Sequence, residues 1–152
     1  MSAKYAVERV SMVREIIVCV FLFYHSICDV KTRKIYIPAC IIFGIAGFIV
    51  FAMGSRRHLF SLACGILCGV CLIIIAYLSE EAVGIGDGCV VTAVGIWIGG
   101  GKTLATLMGG LCLAAGFGIL RMCLGKANGK TELAFIPFFT FAYVCLTLGN
   151  II

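Results

Sequence analysis

Asp87 lies in the run Glu80-Glu81-Ala82-Val83-Gly84-Ile85-Gly86-Asp87-Gly88, and the apolar stretch after it, Cys89 to Gly101, is too short to cross a bilayer. A span needs about 20 predominantly apolar residues, so Ala82, Val83, Ile85 and with them Asp87 have to be drawn into the membrane or its boundary. An acid there is costly, normally faces a protein interior or a wet cavity, and marks a functional site. Asp29 is a second such acid, at the end of the first apolar run. If helix packing brings the two carboxyls together, repulsion and desolvation keep both from ionising at once, and one proton is shared. The ionised partner can then take a proton from a water that attacks a peptide carbonyl, while the protonated partner donates to the carbonyl oxygen. Gly84, Gly86 and Gly88 suit such a site, because absent side chains leave room for a substrate backbone and for a distorted helix start.

Each acid also has an ordinary reading. Asp87 follows a glycine and could be a helix N-cap or first-turn acid, and Asp29 could be a solvated charge at a helix end. Taken as a pair they resist this: Asp29 sits at a helix C-terminus, the unfavourable end for an anion, and Asp87 is needed to complete a span. His25, one helical turn before Asp29, could bond to it. The chemistry needs no imidazole, however, and an interfacial polar residue is the simpler reading; with His58 across the membrane it makes a poor haem pair.

The elements that must position these acids follow from composition. Of 152 residues, 62% are hydrophobic and 12% charged, mean hydropathy is +1.17, and the charges separate long apolar runs. This is the signature of an all-α polytopic membrane protein, one unit over residues 1–152 with no gap long enough for a soluble domain. The net charge of +5 suits anionic lipid headgroups rather than nucleic acid. Ten cysteines would suggest disulfides in a secreted domain, but nearly all lie inside apolar runs and read as packing residues. Cys68-Gly69-Val70-Cys71, with Cys64 on the same helical face, has redox or zinc spacing but no His or fourth thiol, so no metal or cofactor is assigned.

Six helices with short connections are expected, at about Ser11 to Cys28, Ile35 to Met53, Leu59 to Leu78, Ala82 to Gly100, Thr103 to Cys123 and Leu133 to Asn150. A polar leader, Met1 to Val10, precedes them; no small-x-small cleavage site follows the first apolar core, so that core is kept as a span and not a signal peptide. Among the nineteen glycines, Gly65 and Gly69, and Gly95 and Gly99, form small-x-x-x-small pairs, as do Ala105 with Gly109 and Ala114 with Gly118, so close helix packing is expected. Pro137 is either a first-turn proline or a kink.

Asp29 closes the first span and Asp87 follows the third, so both lie on one side of the membrane. That side carries Lys31, Arg33, Lys34, Arg121, Lys126 and Lys130; the other carries Lys4, Arg9, Arg14, Arg56, Arg57 and Lys102. With the leader set aside and connecting loops alone counted, the bias puts the aspartates in the cytoplasm.

Gly84-Ile85-Gly86-Asp87 resembles the G-x-G-D signature of intramembrane aspartyl proteases. Asp29-Val30-Lys31-Thr32-Arg33-Lys34-Ile35 is similar to the first-aspartate motif of type IV prepilin and preflagellin peptidases, and Ala134-Phe135-Ile136-Pro137-Phe138 to the start of that family's last helix. The three pieces fall in order over nearly the whole chain. The resemblance implies a bacterial inner-membrane endopeptidase that removes the leader of prepilin or pseudopilin substrates at the cytoplasmic face, after a glycine that precedes a hydrophobic helix, with Asp29 and Asp87 as the catalytic pair. The size is most like that of the short peptidases of tight-adherence pilus systems. Tyr36 and Cys89 stand where family members usually have proline and often lysine, and Ile37-Pro38 reads as a shifted equivalent. Larger relatives also methylate the new N-terminus, using a cysteine-containing segment between the first two spans; here that connection runs only from Asp29 to about Lys34, which implies no methyltransferase activity. Glu80 and Glu81 would attract the basic residues of such a leader, or are a solvated interfacial pair.

A small proton-coupled transporter would use the same acids as relays, but should spread acids through the thickness of the bilayer. A non-catalytic assembly scaffold needs neither acid.

Overall fold

The computed structural model describes residues 2–32, 35–53, 59–78, 84–124 and 134–149. Within them lie six helices and no strand: α1 (Ser2–Thr32), α2 (Ile37–Met53), α3 (Leu59–Leu78), α4 (Ile85–Ile98), α5 (Gly100–Cys123) and α6 (Ile136–Gly149). They are the six apolar runs of the sequence, α3 to the residue. Ser11–Thr32 within α1, together with α3 and α5, is long and apolar enough to cross a membrane; α2, α4 and α6 are shorter apolar helices. With 14 residues each, α4 and α6 reach about 21 Å, against a hydrocarbon core about 30 Å thick.

A short α4 is tolerable because the helix is enclosed. It touches α1, α2, α3 and α5 and fully buries Val90, Val91 and Val94, so little of its backbone has to match lipid. The outside of the bundle is the reverse of a water-soluble surface: Ile16, Val20, Ile42, Phe60, Leu78 and Ile119 are all largely exposed. Apolar surface on this scale belongs against lipid, and the chain is an all-α membrane protein.

A glycine-lined crossing with α3 and an aromatic contact with α2 hold α4 in place. A Cβ on Gly65 of α3 would collide with the backbone of Gly95 on α4, and one on Gly95 would collide with the backbone of Gly65; one on Gly69 would strike Thr92. In lipid, where apolar burial gives helices no preference for one another, such backbone approach supplies the packing and is closed to larger residues. On the α2 side, the Trp97 indole donates through Nε1 to the Phe43 carbonyl at 2.9 Å and stacks on the Phe43 ring with centroids 5.0 Å apart. Phe43 stacks in turn on Phe21 of α1 at 3.8 Å.

The break between α4 and α5 falls at Gly99, not in a Gly101-Lys102 loop as the apolar pattern suggested. Gly99 has φ +79°, a left-handed conformation open to glycine at little cost. Its N–H donates to the Gly95 carbonyl at 2.9 Å and its carbonyl accepts from Thr103 N–H at 3.1 Å. The Thr103 hydroxyl adds a second bond to that carbonyl at 2.7 Å, and Gly100 N–H donates to Ser61 Oγ at 3.2 Å. These bonds engage backbone groups that the break would otherwise leave open, which is what a helix break in an apolar setting requires. Lys102 consequently lies in the first turn of α5, where it pairs with Glu15 of α1.

Candidate active site

Asp29 and Asp87 are both buried, at 7% and 8% exposure, and each is held at the N-terminus of a helix. Asp87 is in the first turn of α4, with Gly84 as an N-cap that offers no side chain to the turn. Its own N–H donates to the Gly84 carbonyl at 3.0 Å. Its carboxyl folds back toward that cap, since a Cβ on Gly84 would stand 3.3 Å from Asp87 Oδ2.

Asp29 presents the opposite problem, an anion near the C-terminus of its own helix, and the fold answers it with a different helix. Oδ2 of Asp29 accepts a hydrogen bond from the backbone N–H of Ile136, the first residue of α6, at 3.1 Å. Pro137, next in line, has no N–H, and the N–H groups of Phe138 and Phe139 bond back to the Phe135 carbonyl at 3.1 and 3.2 Å. Ile136 N–H is therefore what the first turn of α6 has to offer, and Pro137 is a first-turn proline and not a kink. The positive end of the α6 dipole offsets the unfavourable end of α1.

An expected outcome follows for stability. Asp29→Ala removes the acceptor at the start of α6 and should cost about 1–2 kcal/mol, whereas Asp29→Asn keeps an oxygen there and should cost much less. Thermal unfolding of the purified variants in one detergent checks this; equal midpoints for the two would mean that the bond to Ile136 does not hold α6.

α1 touches α4, and Asp29 is near enough for its charge to act on Asp87. The α1 to α4 contact thus brings the two carboxyls within electrostatic reach of each other. The three glycines around Asp87 divide. Gly84 is exposed beside the carboxyl. A Cβ on Gly86 would lie 2.7 Å from Ile35 Cβ, and one on Gly88 would collide with Ile73, so these two glycines let the start of α4 settle on Ile35 and on α3. Glu80 and Glu81, with Ala82 and Val83, lie outside the described residues.

His25 is fully buried. Its Nδ1 stands 3.0 Å from the Phe21 carbonyl; a carbonyl only accepts, so Nδ1 carries the hydrogen and Nε2, 3.6 Å from Cys40 Sγ, accepts from that thiol. Both ring nitrogens are directed at partners other than Asp29, and His25 ties α1 to α2. All ten cysteines are free thiols, with Cys64 and Cys68 half-buried and Cys71 exposed on α3.

An apolar cavity of 380 Å³ opens between α2 and α4, lined among others by Cys40, Gly44, Phe48, Cys89, Thr92 and Ile96. It begins two residues beyond Asp87 along α4. The feature that reading the sequence missed is the Ile136 N–H; the available signal was Ile136-Pro137 itself, since a proline at a helix start leaves the residue before it as an outward-facing donor.

A family model described as the type IV leader peptidase family matches residues 16–119. The match includes both Asp29 and Asp87 and stops before α6. No curated protein and no solved structure matches the chain.

Proposed function

The chain belongs to the type IV leader peptidase family, and from that premise we propose that it is an aspartic endopeptidase that removes the leader of prepilin-like or pseudopilin substrates, with Asp29 and Asp87 as its catalytic pair. The observation that carries this reading is the convergence of two buried carboxyls, one on α1 and one on α4, at one end of a lipid-facing bundle. Nothing in the packing of a plain membrane anchor calls for either.

A donated N–H favours the ionised form of a carboxyl, and the roles are assigned on that ground. Asp29, whose Oδ2 is engaged by an N–H, is the ionised base, and Asp87 carries the shared proton. Asp29 takes a proton from water as the water oxygen bonds to the scissile carbonyl carbon, and Asp87 gives its proton to the carbonyl oxygen. The tetrahedral intermediate then collapses: the proton now on Asp29 goes to the departing amide nitrogen, the C–N bond breaks, and Asp87 recovers a proton from a hydroxyl of the intermediate. Gly84, exposed at the cap of α4, leaves space for substrate backbone beside Asp87; the hydrophobic segment beyond the cleavage point has the apolar cavity between α2 and α4 to enter. Gly86 and Gly88 contribute by setting the position of that helix start.

We place the site at the cytoplasmic face of a bacterial inner membrane, on the balance of loop charge, and expect no methyltransferase activity because the α1 to α2 connection is so short. The arrangement argues against a proton relay: among the described residues the two carboxyls share one end, while Glu15, toward the other, is engaged by Lys102. The test is to co-express a prepilin with the protein and look for the shortened product, with the Asp29 and Asp87 variants as controls. A narrower expectation concerns the leader. Reversing Glu80 and Glu81 together to lysine should lower cleavage about tenfold by raising KM, since rim charges steer and orient a partner more than they hold it. Unchanged KM for a leader rich in basic residues would dispose of that role.

A further inference from the structure

The first turn of α4 is gripped from two sides. Helix positions two residues apart point about 200° away from each other, so Gly86 and Gly88 offer nearly opposite faces and Asp87 projects between them. Gly88 rests on Ile73 of α3, whose Cγ1 an added Cβ would strike. Gly86 rests on Ile35: a Cβ there would lie 2.7 Å from Ile35 Cβ, 2.9 Å from Cδ1 and 3.2 Å from Cγ1. One side chain thus closes over the residue immediately before Asp87.

Ile35 is tied to the other acid as well. It follows Asp29 by six residues and precedes Ile37, the first residue of α2, by two. Its side chain is half-buried and packs against the same buried cluster as Val90, Val91 and Val94. The carbonyl of the next residue, Tyr36, accepts the Ala39 N–H at 3.0 Å, which fixes this segment to the first turn of α2. α2 is fastened to α4 in turn, through the bond from the Trp97 indole to Phe43. Ile35 is therefore joined to Asp29 by a short length of chain and to the neighbour of Asp87 by direct contact.

The residue type suits that place. Two substituents on Cβ leave few χ1 rotamers, so the side chain is a stiff wedge, and the surface it meets so closely has to be glycine. Without the wedge, the first turn of α4 can tilt toward the lead-in to α2, carrying the Asp87 carboxyl with it. A misplacement of about 1 Å at a reacting group can cost about 10²-fold in rate.

We propose that Ile35 is a positioning residue: seated on Gly86, it sets the separation of the Asp29 and Asp87 carboxyls and through it the rate of the chemical step. This role rests on the peptidase reading of the pair.

The test measures kcat and KM for a purified prepilin cleaved by the full chain in detergent, beside thermal unfolding of each variant. Ile35→Ala should lower kcat by about tenfold to 10²-fold with KM within about twofold of wild type. Ile35→Val keeps the branch at Cβ and should stay within about threefold of wild type, whereas Ile35→Leu, of equal volume but unbranched at Cβ, should be slow. That contrast decides the matter even if Ile35→Ala does not fold, because a mere filler of space would be replaced better by leucine. Gly86→Ala should also lower kcat, yet Gly86→Ala combined with Ile35→Gly should be no slower than Ile35→Gly alone, since the added carbon then has no side chain at residue 35 to meet. Wild-type kcat in Ile35→Ala, equal rates for the valine and leucine variants, or additive losses in the double variant would overturn the role and leave the peptidase reading standing. A raised KM at unchanged kcat would make Ile35 a substrate contact and overturn positioning. A wild type that leaves the prepilin whole overturns the peptidase reading, and this role with it.

Discussion

Asp29→Asn and Asp87→Asn should each abolish release of the leader, lowering cleavage by at least about 10³-fold, with the protein still made and inserted at wild-type levels. Both substitutions are nearly isosteric, and both leave an oxygen that can accept the contacts seen here: from Ile136 N–H in one case, and close to the Gly84 cap in the other. What each removes is the ability to exchange a proton. If Asp29 is the base, Asp29→Asn cannot activate water; if Asp87 is the acid, Asp87→Asn cannot protonate the carbonyl oxygen. Neither partner can take over both duties, so the double variant should be no worse than either single one. Processing that persists in either single variant would end the two-carboxyl mechanism, whereas loss of activity together with loss of protein would say nothing about chemistry and is excluded by measuring both.

The second large effect is structural. Gly95→Leu and Gly65→Val should unfold the protein or prevent its accumulation, at a cost of about 3 kcal/mol or more. In each case the added carbon meets backbone atoms of the facing glycine, and backbone cannot rotate aside as a side chain can. α3 and α4 would have to separate, taking Asp87 away from Asp29. The contrast is with Gly101 and Gly116, where an added Cβ meets nothing within 4 Å; Gly101→Ala and Gly116→Ala should leave the unfolding midpoint close to wild type. Unfolding in detergent, followed by circular dichroism, measures all four variants together. A Gly95→Leu protein as stable as Gly116→Ala would show that the α3 to α4 crossing does not limit stability.

Hydropathy and spacing are local properties, and what depends on them was legible in the chain alone. The six helices, the ends of α3 and the membrane class all follow from the lengths of apolar runs. The glycine signals at Gly65, Gly69 and Gly95 were legible for the same reason: a missing side chain in an apolar helix has few uses other than close approach. The pattern misled where one residue's conformation outweighed it. Gly99 ends α4 because it adopts φ +79°, and no periodicity distinguishes it from Gly100 or Gly101, so the apolar pattern puts Lys102 in a loop although it belongs to a helix and an ion pair.

Only the tertiary structure could decide what each acid touches. Asp29 sits at the wrong end of α1 for an anion, and the group that makes this tolerable is a peptide N–H at Ile136, 107 residues away in the chain. A backbone donor looks the same in every residue, so no side-chain type or spacing announces it. The two acids stand out in the sequence by their apolar setting; what they touch required knowing which helix ends meet, because hydrogen bonds and dipoles act over a few ångströms of space regardless of separation along the sequence.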